Sequence, residues 1–103
     1  MLLDRANVAN EEHQVAISYG FQLPSAPTLH YIQSGTPPPA ACPGTEANPE
    51  AQSGHLCLYE TFDLNVTAEA VQAVSDPNSG AEIHMRAVAI GNAYTFGSWA
   101  VTS

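Results

Sequence analysis

The side chains of this 103-residue chain with chemistry to offer are His13, His30, His55 and His84, Cys42 and Cys57, and ten acidic residues. A metal site is the first combination to test, because His55-Leu56-Cys57 with Cys42 supplies three soft ligands of the kind zinc takes. Structural zinc sites pair their ligands roughly two to four residues apart on both sides. Cys42 stands alone, so no zinc site is expected. Asp76-Pro-Asn-Ser-Gly80 lacks the acidic positions and closing Glu of an EF-hand loop and reads as a turn.

Nucleophilic catalysis needs a Ser or Cys beside a base and an oxyanion donor. No Gly-x-Ser-x-Gly occurs, and Gly97-Ser98-Trp99 is only a Gly-Ser pair in a strand-like run. Glu60, Asp63 and Glu82 are the carboxylates nameable as a pair for glycoside hydrolysis, but nothing in the sequence fixes their separation. No catalytic residue, cofactor or metal is therefore assigned, and a small secreted hydrolase stands as an outlying alternative.

Aromatic rings offer a different chemistry, since Tyr and Trp on an exposed face form platforms for sugars and protein partners. Tyr31, Tyr59, Tyr94 and Trp99 are the candidates for partner contact. So small a domain must also use rings to fill its core, and Tyr19, Phe21, Phe96 and Trp99 are assigned there. Asn65-Val66-Thr67 matches a glycosylation sequon, which matters only in a eukaryotic secretory pathway.

Ten acidic residues stand against Arg5 and Arg86 with no lysine, for a formal net charge of -8. Phosphate backbones are bound by clustered Lys and Arg, so nucleic acid is excluded as a partner. The missing lysines also exclude Schiff-base chemistry and the usual phosphate-binding loop. With 45% hydrophobic and 12% charged residues the chain should fold as a soluble globule, and no run reaches the ~20 apolar residues of a membrane span. Met1-Leu2-Leu3-Asp4 carries no basic and apolar leader, which reads as a mature segment or a protein exported without a signal, as a virion component would be.

The elements that must position these groups are short and extended. Residues 1–14 read as an N-terminal arm with at most one helical turn, and residues 15–103 as a single β domain. Val15, Ile17, Tyr19, Phe21 and Leu23 alternate with small or polar residues, so one strand with a five-residue apolar face is expected, ended by Pro24. Further strands are expected over 28–34, 55–62, 81–90 and 94–102. Leu56, Leu58 and Phe62 should share one face of the second of these and Cys57, Tyr59 and Thr61 the other. Residues 64–75 suit a short helix or a strand equally, and Gly97 suggests a bulge.

Between residues 34 and 54 runs a Pro/Gly-rich loop. Cys42 and Cys57, 15 positions apart, read as one disulfide in an oxidising compartment and as free thiols in a reducing one. Bridged, they would clip the long loop, whose tip at 45–53 is then the place for a partner. The expected fold is all-β, a small antiparallel sandwich or jelly-roll-like domain with one disulfide-stapled long loop.

The run from Pro24 to Ile32, Cys42-Pro-Gly-Thr45, Gly54-His-Leu-Cys-Leu-Tyr-Glu60 and Gly97-Ser-Trp-Ala-Val-Thr102 together resemble an uncharacterised domain of actinobacterial proteins. That domain is a C-terminal globular module often following collagen-like segments, and the likeness spans Val15 to Ser103. It implies a surface or virion-associated module with bridged cysteines and carries no active site to transfer. This chain departs from the pattern in having no collagen-like segment and in starting at Met1. The function expected is a non-catalytic structural or adhesion module on a cell or virion surface. Its first partner would be itself, as a trimer or larger homo-oligomer, with a glycan- or protein-binding module as the alternative.

Overall fold

The computed structural model describes residues 2–6, as backbone, and residues 9–103 except the Ala68 side chain. Seven strands form: β1 (Leu2–Ala6), β2 (Glu12–Ser18), β3 (Thr28–Ile32), β4 (His55–Leu64), β5 (Val66–Ala73), β6 (Gly80–Ala87) and β7 (Gly91–Thr102). They make a four-stranded sheet in the order β1-β7-β4-β3 and a three-stranded sheet in the order β2-β6-β5. Ile17 and Ile83 of the smaller sheet pack against Leu56 and Leu58 of the larger, with Trp99 and Val101 at the margin, so the core lies between the two. The expected all-β sandwich is what forms.

Local pattern explains most of this. In β2 and β6 the buried side chains include His13, Ile17, Ala81, Ile83, Met85 and Ala87, at alternating positions, as half-buried strands require. The alternation begun at Val15 stops early, because the chain turns at Gly20 with φ +80°. Tyr19 and Leu23 stay in the core, but Phe21 is 53% exposed rather than buried. Residues 66–73, equally suited to helix and strand, are strand β5, where Val71 packs on the core and pairing with β6 decides the matter. Of the expected arm, Leu2–Ala6 pairs with β7, residues 12–14 open β2, and residues 1, 7 and 8 lie outside the described set.

One pairing in the larger sheet is parallel, with β3 alongside β4 from Thr28↔His55 to Ile32↔Tyr59. Parallel neighbours cannot be joined by a tight hairpin, because the chain must return to the starting end of the first strand. The long loop over 33–54 makes that return across the outer face of the larger sheet. Cys42 and Cys57 are joined, Cα atoms 5.6 Å apart, and both are fully buried with Ile32 and Tyr59. The Tyr59 hydroxyl receives the Gly44 N–H at 2.9 Å and donates to the Glu50 carbonyl at 2.6 Å. Ser98 and Thr102 of β7 donate to the carbonyls of Glu46 and Ala51. The loop is thus held by a covalent bond and by β4 and β7 side chains.

Cross-linking a loop of this length should contribute about 3 kcal/mol. In a domain this size, replacing Cys42 and Cys57 by Ala is expected to lower Tm by roughly 10–20 °C. Thermal melts of the oxidised protein and the double variant measure this, and a drop of one or two degrees would mean the polar fastenings hold the loop alone.

Candidate functional site

β4 carries an extra residue. Its pairing with β7 runs regularly from His55↔Thr102 to Glu60↔Gly97, then resumes at Phe62↔Phe96, leaving Thr61 without an opposite number. The bulge expected from Gly97 is therefore real but lies on the partner strand. Gly97 is what permits it, since a Cβ there would collide with the Tyr59 carbonyl. On the open side, Ser34 Oγ donates to the Thr61 carbonyl at 3.0 Å.

A bulge reverses the alternation of every residue beyond it. Leu56, Leu58 and Glu60 face the interior. Past Thr61 the inward position passes to Asp63, and Phe62 and Leu64 turn outward. Phe62 is consequently not on the face of Leu56 and Leu58, as simple alternation requires, but on the opposite one, 50% exposed.

Inside, a carboxyl cluster results. Glu60 is 4% exposed, and one oxygen each from Glu60, Asp63 and Glu69 of β5 lie within 4.8 Å of one another. Tyr31 donates to Glu60 Oε2 at 2.5 Å, Thr95 Oγ1 donates to the same oxygen at 3.1 Å, and the Ser34 N–H reaches Oε1 at 3.1 Å. Gln33 donates to Glu69, tying the end of β3 to the other sheet. A crevice of about 150 Å³, lined in part by Gln33, Ser34, Thr36 and Tyr59, opens over Glu60. No cationic side chain joins the cluster among the described residues, and Arg86 is engaged 3.1 Å from Glu12 instead.

Carboxyls so close cannot all ionise cheaply, so they separate in acidity. Hydrogen bonding to Glu60, then burial and the charges of Glu60 and Glu69, push Asp63 up to about 6. Burial works to raise Glu60 as well, but hydrogen bonds from Asp63, Tyr31, Ser34 and Thr95 outweigh it and hold Glu60 below its ordinary value. Burial raises Glu69, and burial with the Glu60 hydrogen bond raises Tyr31. Below about pH 6 Asp63 holds a proton toward Glu60, and the three carboxyl oxygens are hard ligands of the type calcium takes. Of the carboxylates named for glycoside hydrolysis, Glu60 and Asp63 are brought together, while Glu82 sits on the other sheet bonded to His84.

Outside, the same reversal makes an aromatic strip. Tyr94 packs on Phe62 at 5.9 Å and on Phe96 at 5.0 Å between ring centroids. Leu64, Val88 and Ile90 are also exposed. Asn65, beside Leu64, binds the Ala89 N–H and the Ala89 and Asn92 carbonyls, which draws the β6–β7 turn against the strip's end. The sequon amide is thereby occupied in holding a turn.

The four rings proposed for partner contact do not share a surface. Tyr59 is buried under the loop, the Tyr31 hydroxyl points into the carboxyl cluster, and Trp99 packs on Tyr19 in the core. Only Tyr94 belongs to the strip. Phe62 and Leu64 join it because of the bulge. Phe96, assigned to the core, instead lies beside Tyr94 on the outward face, 37% exposed, because alternation along β7 sets it on the face opposite Trp99. The loop tip at 45–53 is exposed over much of its length but fastened to β7.

Two of the four histidines meet, His30 and His55, with ring nitrogens 2.8 Å apart. His13 lies 3.5 Å from Glu11. His84 lines a crevice of about 210 Å³ with Glu12, Gln72, Met85 and Arg86, and its Nδ1 is 3.4 Å from Glu12. This crevice pairs a base with the Glu12 carboxylate, but no Ser or Cys lines it.

Comparison with protein-family models, curated proteins and solved structures finds no match for this chain. No helix among the described residues is long and apolar enough to cross a membrane.

Asp63 gives the cluster a testable pH dependence. Its folded pKa stands above the unfolded value of 3.8, so the native state binds the extra proton and stability falls as pH rises through about 4 to 6. Partial exposure limits the effect to on the order of 1 kcal/mol. His30, held low by burial and by His55, acts oppositely, losing stability as pH falls below 6.5. Asp63→Asn, which keeps a donor toward Glu60 without the charge, is expected to raise Tm at pH 7.5 and to abolish the Asp63 part of the slope. Melting curves from pH 4 to 8 for both proteins check this, and an unchanged slope would rule out a shared proton.

Proposed function

We propose that this protein is a non-catalytic structural or adhesion module that self-associates through the Phe62, Leu64, Tyr94 and Phe96 strip, outside the cytoplasm on a cell or virion surface. The observation that carries the reading is the outward strip itself. Contiguous exposed apolar surface on a sheet face marks an association site, and here the bulge turns Phe62 and Leu64 outward to join Tyr94 and Phe96.

A second copy of the chain is the partner that suits it best. The body carries a net charge of -8, so two chains repel wherever carboxylates meet. None of the four strip residues is charged. An isologous pairing sets strip against strip and leaves the acidic surface at the rim. A basic partner would be drawn to the acidic faces instead. The buried disulfide is compatible with an extracellular location.

Light scattering and sedimentation at micromolar concentration should find an oligomer in the wild type. Phe62→Ser with Phe96→Ser should weaken association at least tenfold, about 1.4 kcal/mol, without lowering the melting temperature. A strictly monomeric wild type at tens of micromolar would overturn the proposal.

A further inference from the structure

Far from the strip, at the opposite end of the larger sheet's outer face, two potential metal ligands from different strands meet. His30 of β3 stands opposite Cys57 and His55 of β4 opposite Thr28, so the histidines are diagonal neighbours in the parallel ladder. His30 Nε2 and His55 Nδ1 are 2.8 Å apart, with the rings at 27° and centroids separated by 5.0 Å. The backbone beneath is fixed: the Thr28 N–H donates to the Gly54 carbonyl, the His55 N–H to the Gln52 carbonyl, and Cys57 is in the disulfide. The rings themselves are only half-buried.

We infer that His30 and His55 form a bidentate site for a divalent transition-metal ion of the copper(II) or nickel(II) class. Two nitrogens each about 2.0–2.1 Å from a metal are about 2.8–3.0 Å apart when they subtend the right angle of a tetragonal site, and about 3.3–3.4 Å apart at the tetrahedral angle zinc prefers. The observed 2.8 Å is the length of the hydrogen bond between the rings and lies near the first value, so the ion would take the place of the bridging proton with little change in separation. A turn of each ring about its Cβ–Cγ bond, a soft torsion, aims both lone pairs at one ion.

The protons balance without a co-reactant. In the neutral pair one proton lies between the two nitrogens. The accepting ring already carries its proton on its outward nitrogen. On binding, the bridging proton passes through water to the donating ring's outward nitrogen, which leaves His30 protonated at Nδ1 and His55 at Nε2, and two metal–nitrogen bonds replace one hydrogen bond. Water completes the coordination. No free cysteine competes for the ion or reduces copper(II). His84 has its two nitrogens against Glu12 and Glu82.

Titration of the full chain with copper(II) and nickel(II) chloride, followed by calorimetry and, for copper, electron paramagnetic resonance, tests the assignment. One ion per chain should bind with micromolar affinity and give a tetragonal copper signal with two equatorial nitrogens. His30→Ala and His55→Ala should each weaken binding at least tenfold, and His84→Ala should leave it unchanged. Nickel(II) should raise the Tm of the wild type but not of His30→Ala. Metal-free melting curves establish that the variants fold, with His30→Gln and His55→Gln taking their place if alanine lowers Tm. Affinity indifferent to both substitutions, binding lost in His84→Ala, or no binding at millimolar metal would each overturn the inference.

Discussion

A β-strand sends successive side chains to opposite faces, and one inserted residue exchanges those faces for everything that follows. Thr61 is that residue in β4. Before it, Leu56 and Leu58 build the core and Cys57 and Tyr59 anchor the loop outside. After it, Asp63 turns in beside Glu60, and Phe62 and Leu64 turn out. The carboxyl cluster and the aromatic strip are thus two sides of one event. Gly97 makes it possible by leaving room for the Tyr59 carbonyl, and Ser34 secures it by donating to the Thr61 carbonyl. Because Ser34 also donates its N–H to Glu60, the bulge and the cluster share a fastening.

Much of the sandwich was legible in local patterns, because alternation between apolar and polar residues follows directly from burial of one face. Ile17, Ile83, Met85 and Ala87 are cases where spacing alone settles the facing. Phe21 is not, since Gly20 turns the chain before alternation reaches it. The parallel pairing of β3 with β4 was illegible for a different reason: strand direction depends on where a connection returns, and composition does not record that. The length of the loop is required by that return, and the disulfide fastens it. Of the candidate site, Glu60 and Asp63 could be named but not brought together, because their common orientation depends on a bulge whose position only the pairing with β7 reveals.

The larger sheet's outer face is divided. Toward the start of β4 it is covered by the loop, under which Cys42, Cys57, Ile32 and Tyr59 form a small core of their own. Toward the end of β4 it is bare and aromatic. A chain with ten acidic residues and no lysine has few ways to neutralise charge internally. Arg86 lies against Glu12, and in mild acid a proton on Asp63 relieves the cluster; Asp63 and the His30–His55 pair respond to acid with opposite sign.

The position of β7 has a temporal consequence. It is the last strand in sequence order, yet it lies between β1 and β4. On the ribosome, where the chain emerges from its N-terminal end, the larger sheet cannot close until residues 91–102 are free of the exit tunnel. β1 and β4 wait until then with unpaired edges, among the earliest and most sequence-distant partners to be joined. Closure of this sheet must follow the release of β7, whatever order the smaller sheet takes.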